Sequence, residues 1–123
     1  MKNLIQVTLV IVSTLFLFSC SSSSKEDTAY AKKLQIESGK KIFNGKGNCA
    51  SCHDVSKELV GSSLKVIASV YSKNGNMIDF FKQKTTAKVV PGHAEGMKDN
   101  FPILAKMSDE ELQCLQAYIL NVK

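Results

Sequence analysis

Near the middle of the chain stands Cys49-Ala50-Ser51-Cys52-His53, two thiols three residues apart with an imidazole immediately after them. Side chains at i and i+3 share one face of a helical turn, so both thiols can reach a single flat partner. A CxxCH run of this kind is the attachment pattern of a c-type haem, the cysteines taking the two thioether bonds and His53 directed to the iron as proximal ligand. A CxxC pair also serves as a dithiol redox centre or as half of a zinc site. The first wants a strand-then-helix context that is missing here. The second wants another ligand pair, whereas His93 and Cys114 are isolated.

Upstream, residues 1–19 begin with one cation, Lys2, and run almost wholly apolar from Leu4 to Phe18. That is the length of an export signal and short for a membrane span. Leu17-Phe18-Ser19-Cys20 resembles the lipobox of bacterial lipoproteins, which implies that Cys20 is acylated and becomes the new N-terminus. Several acyl chains on one terminus hold a protein to a bilayer, where a single chain binds only marginally. The polar run to Thr28 reads as a tether, reaching at most about 28 Å extended and about 16 Å as a flexible coil. The expected organisation is therefore a signal at 1–19, a lipidated Cys20 with tether over 20–28, and one small domain over 29–123, exported and anchored as a periplasmic or outer-membrane lipoprotein. The expected partners are the bilayer and redox proteins within reach of it.

The composition agrees with one small domain. Sixteen cations, all lysine, against eleven carboxylates leave +5, or +4 once Lys2 is removed with the signal. The absence of arginine argues against nucleic acid, where planar bidentate donors are favoured. Four cysteines do not make a disulfide framework, because three have other uses by context and only Cys114 is left over. It reads as a small, half-buried apolar residue.

Ala29 to Phe43 is rich in helix formers, with Leu34, Ile36, Ile42 and Phe43 on its apolar side. Gly39 interrupts it at a cost of about 1 kcal/mol relative to Ala, which suggests that another element packs closely there. After the CxxCH run a helix is predicted from near Ser63, carrying Leu64, Ile67, Ala68 and Tyr71. Asn74-Gly75 breaks it and Asn76 is placed to cap the next, with Ile78, Phe80 and Phe81 inward. Val89 to Leu104 holds Pro91-Gly92 and Pro102 without a helical period and is expected to be a loop. The last helix starts sharply at the capping box Ser108-Asp109-Glu110-Glu111, with Met107 and Leu112 as its hydrophobic staple. Leu112, Leu115, Ile119 and Val122 mark its buried face.

Taken together, Gly39-Lys40-Lys41-Ile42-Phe43, the CxxCH run and Leu115-Gln116-Ala117-Tyr118 resemble the class I cytochromes c over essentially all of the chain from about residue 34. The resemblance implies an all-α fold whose N- and C-terminal helices cross around one covalently bound haem, placing Gly39 and Phe43 against Leu115 and Tyr118. It also implies a sixth iron ligand on the loop before the last helix, where Gly96-Met97 fits. Met97 is thus the expected partner of His53, with His93 its rival; Met77 and Met107 read as core. The family commonly has Gly-Pro after the haem run, the proline carbonyl receiving the proximal histidine's N–H. Here Gly61-Ser62 stands in that place, and Ser62 leaves the loop less pre-set. There is no tryptophan to meet a propionate. The expected function is single-electron transfer by a monomer with His53/Met97 ligation; a haem-based redox or gas sensor and the haem subunit of a larger respiratory complex are the alternatives. Peroxidases of this family carry a second CxxCH, which this chain lacks, and no Ser-His-Asp or paired-carboxylate arrangement is evident.

Overall fold

The computed structural model describes residues 25–89 and 94–123. The stretch expected to be a signal, Cys20, the serine run and His93 lie outside the described residues. Those described form an all-helical chain: α1 (Lys25–Asn44), a 3₁₀ turn at Cys49–Ser51, α2 (Leu64–Asn74), α3 (Met77–Phe81), a second 3₁₀ turn at Ala94–Met97, α4 (Phe101–Leu104) and α5 (Asp109–Leu120).

Helix α1 begins four residues before the expected Ala29, because Lys25-Glu26-Asp27-Thr28 forms its first turn rather than tether. Glu26 and Asp27 sit at the positive end of the dipole, and the Thr28 hydroxyl donates to the Lys25 carbonyl at 2.9 Å. Lys25 to Leu34 are nevertheless exposed, Leu34 included, so the helix packs only through its second half. There Gly39, Ile42 and Phe43 are buried against α5.

The α1/α5 crossing accounts for the glycine. A β-carbon on Gly39 would lie 1.9 Å from the Cys114 carbonyl oxygen and 2.7 Å from Cβ of Tyr118. The backbones meet there, and only hydrogen fits. The closest approach is to the Cys114 backbone rather than to Leu115, which is instead fully buried in the core behind it. Phe43 and Tyr118 complete the contact, their rings 5.4 Å apart and tilted by 57°.

The remaining helices start where their caps dictate. Ser63 accepts from Val66 N–H at 3.4 Å to begin α2, and Asn76 accepts from Ile78 and Asp79 N–H at 3.1 and 3.4 Å to begin α3. Both arms of the α5 capping box are formed: Glu111 N–H donates to the Ser108 hydroxyl at 3.2 Å, and Ser108 N–H to the Glu111 carboxylate at 3.1 Å. Met107 and Leu112, the two ends of the staple, are both buried.

The stretch expected to be a loop from Val89 to Leu104 instead contains a 3₁₀ turn and α4. Elements of four residues are too short to show a helical period, and Pro102 is tolerated because it sits in the first turn, where its missing N–H has no partner to lose.

Candidate functional site

Each residue of the CxxCH run is set by local backbone geometry. Asn44 and Gly45 close α1, the Asn44 amide donating to Lys40 O and Gly45 N–H to Lys41 O, both at 2.9 Å. Asn48 then takes a left-handed conformation, φ 50°, which asparagine tolerates better than most residues. That reversal starts the 3₁₀ turn and buries Cys49, while Cys52 is half-buried. His53 N–H donates to Cys49 O at 3.0 Å, so the turn carries the imidazole along with the thiols.

The His53 ring is fixed from its far side. Its Nδ1–H donates to the Ser62 carbonyl at 2.7 Å, which leaves Nε2 with its lone pair free to ligate a metal. The serine therefore does what the resemblance expected of a proline. Backbone bonds supply the rigidity that a pyrrolidine ring would have: Gly61 N–H to Cys52 O at 2.9 Å, Leu64 N–H to Asp54 O at 2.9 Å and Lys65 N–H to Val55 O at 3.2 Å. Gly61 matters as much, because a β-carbon there would come within 2.4 Å of His53 Cε1.

Cys49, Cys52, His53 and Met97 all line one open-mouthed cavity, whose walls enclose about 1190 Å³ of empty space, the mouth included. Phe43, Leu64, Ile67, Tyr71, Phe81 and Leu115 make it predominantly apolar. Among the described residues no buried side-chain nitrogen or oxygen lacks a partner. Both cavity cysteines are free thiols. Burial, with the neighbouring Cys52, pushes the Cys49 thiol up to about 11, so it stays protonated at neutral pH.

This donor set fits a haem: two thiols for thioether bonds, an imidazole with a free nitrogen, a thioether sulfur, and apolar walls for a flat macrocycle. A family model for cytochrome c matches residues 36–123. The chain belongs to the cytochrome c family. Cytochrome c-552 of Nitrosomonas europaea is 29% identical to it over 80 residues, 63% of this chain and 73% of that protein. Membership carries with it a covalently bound haem c, and Cys49 and Cys52 stand at the CxxCH positions that attach it. Haem-based electron transfer is the activity of the family.

Some cavity residues, Met77 and Asn100 among them, escaped the sequence reading. Met77, expected to be core, is core, 1% exposed, yet it also lines the cavity, as Met97 does; Met107 is buried without lining it. Asn100 lines the cavity too, and nothing in its local sequence marks it. Cys114 lies outside the cavity, half-buried on α5, its thiol raised by desolvation and by Glu110 and Glu111.

Proposed function

We propose that this protein is a membrane-tethered carrier of single electrons whose haem iron is held between His53 and Met97. The haem supplies the one-electron couple, and the chain's residues set how that couple behaves. The Nδ1–H bond from His53 to Ser62 carries the reading, because it presents Nε2 as a ligand in a fixed orientation within the cavity that also holds the attachment thiols. Met97, half-buried at the end of a 3₁₀ turn, offers a soft thioether to the same cavity. A His/Met pair favours ferrous iron and raises the potential. Met77 has less freedom to serve, being fully buried in the first turn of α3.

With both axial positions filled, the iron has no vacancy for substrate, so the protein's contribution is binding, orientation and exclusion of water by the apolar walls. The lipobox-like run Leu17-Phe18-Ser19-Cys20 supports acylation of Cys20 and, with it, a site of action outside the cytoplasm close to a bilayer, with redox proteins there as partners. The lysine-rich surface suits partners of acidic character.

Replacement of Met97 by Ala tests the ligand directly. The ferric near-infrared Met-to-iron band of the holoprotein disappears in Met97→Ala and persists in Met77→Ala. The reverse pattern makes Met77 the ligand and overturns the assignment.

A further inference from the structure

Asn100 caps α4 in backbone position, φ −89° and ψ −25°, yet its side chain makes no capping bond. An asparagine there ordinarily accepts from the second or third helical N–H. In α4 the second residue is Pro102, which has no N–H to offer. The Asn100 amide reaches across the molecule instead, Nδ2–H donating to the Gly47 carbonyl at 3.1 Å over a separation of 53 residues.

The bond joins the two halves of the site. Gly47 precedes the attachment cysteines by two residues, and a β-carbon on it would lie 2.8 Å from Ile42 O and 3.1 Å from the Cys49 sulfur, so its loop is tightly seated. At the other end, Asn100 N–H donates to the Met97 carbonyl at 2.9 Å, tying the amide to the segment that bears the thioether. Apolar packing also holds that segment, Leu104 being buried in the core and the Phe101 ring meeting Phe80 edge-on at 5.6 Å, whereas its Lys98–Glu95 ion pair is internal. Among the described residues, Asn100 to Gly47 is the hydrogen bond that ties 94–104 to an earlier part of the chain.

We propose that Asn100 is a positioning residue, a latch that holds the Met97 segment against the Cys49 loop and so keeps the sixth ligand on the iron. Haem attachment increases the latch's share of the work. The Gly47 carbonyl also receives the Cys49 thiol, at 3.4 Å. Thioether formation adds S–H across a vinyl group, a new S–C bond forming at one carbon and the proton going to the other, with no net oxidation or reduction. That donor is then gone, and Asn100 is the side chain left on the carbonyl.

The inference rests on Met97 being the ligand, so the test reads both. Asn100→Leu keeps the size and removes the donor; Asn100→Asp turns an acceptor toward the Gly47 carbonyl; Asn100→Gln keeps a donor on a longer stem. In holoprotein reduced under sub-saturating carbon monoxide, the CO-bound fraction rises about five- to tenfold in Asn100→Leu, as loss of one net hydrogen bond predicts. It rises further in Asn100→Asp and less in Asn100→Gln. Lys46→Ala, which breaks a surface ion pair with Glu111 instead, lowers the melting temperature and leaves CO uptake unchanged. Should Asn100→Leu yield no holoprotein, Asn100→Asp against Asn100→Gln makes the same comparison. Unchanged CO uptake in the Asn100 variants of a protein that shows the Met-to-iron band overturns the latch alone, as does an equal rise in Lys46→Ala. A wild-type protein lacking that band overturns the axial reading and the latch with it.

Discussion

A β-carbon at Gly61 would lie 2.4 Å from Cε1 of His53 and 2.8 Å from Nδ1, closer than atoms of the two residues can stand, and 3.0 Å from Nε2. The imidazole is the neighbour that would have to move, and its bond to the Ser62 carbonyl is what orients it. Gly61→Ala is therefore expected to cost roughly 1–3 kcal/mol in strain and, unlike a purely structural lesion, to weaken the low-spin His-ligated absorption spectrum. The site was legible at this scale where residue type alone carries the chemistry, as for the two thiols and the histidine. Gly61 and Asn100 were not, because what matters about them is which distant atom they meet.

At the scale of elements, the start of α5 gathers a capping box and two ion pairs. Besides the capping box, Lys46 pairs with Glu111 and Lys82 with Asp109, the latter at 2.6 Å, fastening the loop before the haem turn and the end of α3 to one place. Ser108→Ala loses the cap and costs about 1 kcal/mol, a fall in melting temperature of roughly 4–8 °C for a domain of this size. The pH dependence follows from the carboxylates. The lysine hydrogen bonds hold Asp109 and Glu111 below their usual range, so each stabilises the fold at neutral pH and loses that contribution as pH falls through its lowered value. The melting temperature of Lys46→Ala/Lys82→Ala should lie below wild type at neutral pH and converge with it in acid; high salt should narrow the gap, since the pairs are on the surface. The long helices were readable because caps and apolar spacing agreed. The segment from Val89 to Leu104 was read as a loop because its helical turns are shorter than the period that would reveal them.

At the scale of the whole molecule, the crossing of α1 and α5 and the haem cavity are one structure. Phe43 packs on Tyr118 in the crossing and also lines the cavity, and Leu115, buried behind the crossing, lines it too. Gly39→Ala would drive a β-carbon to 1.9 Å from the Cys114 carbonyl, part the helices and loosen the cavity wall with them. Loss of several degrees in melting temperature together with raised carbon monoxide uptake is expected, and neither alone would match that coupling. The all-α architecture and the crossing were legible because a costly glycine and a pair of aromatics point at each other from opposite ends of the chain. The closest partner of that glycine, a backbone carbonyl, leaves no mark on sequence. The central claim is that the cavity, once it holds its haem, is closed at both axial positions. Absorption spectra of the reduced wild-type holoprotein before and after addition of carbon monoxide test it most directly. An unchanged ferrous spectrum, with a Met-to-iron band in the ferric form, is the result predicted for a six-coordinate electron carrier. Prompt and complete conversion to the CO-bound spectrum would contradict it.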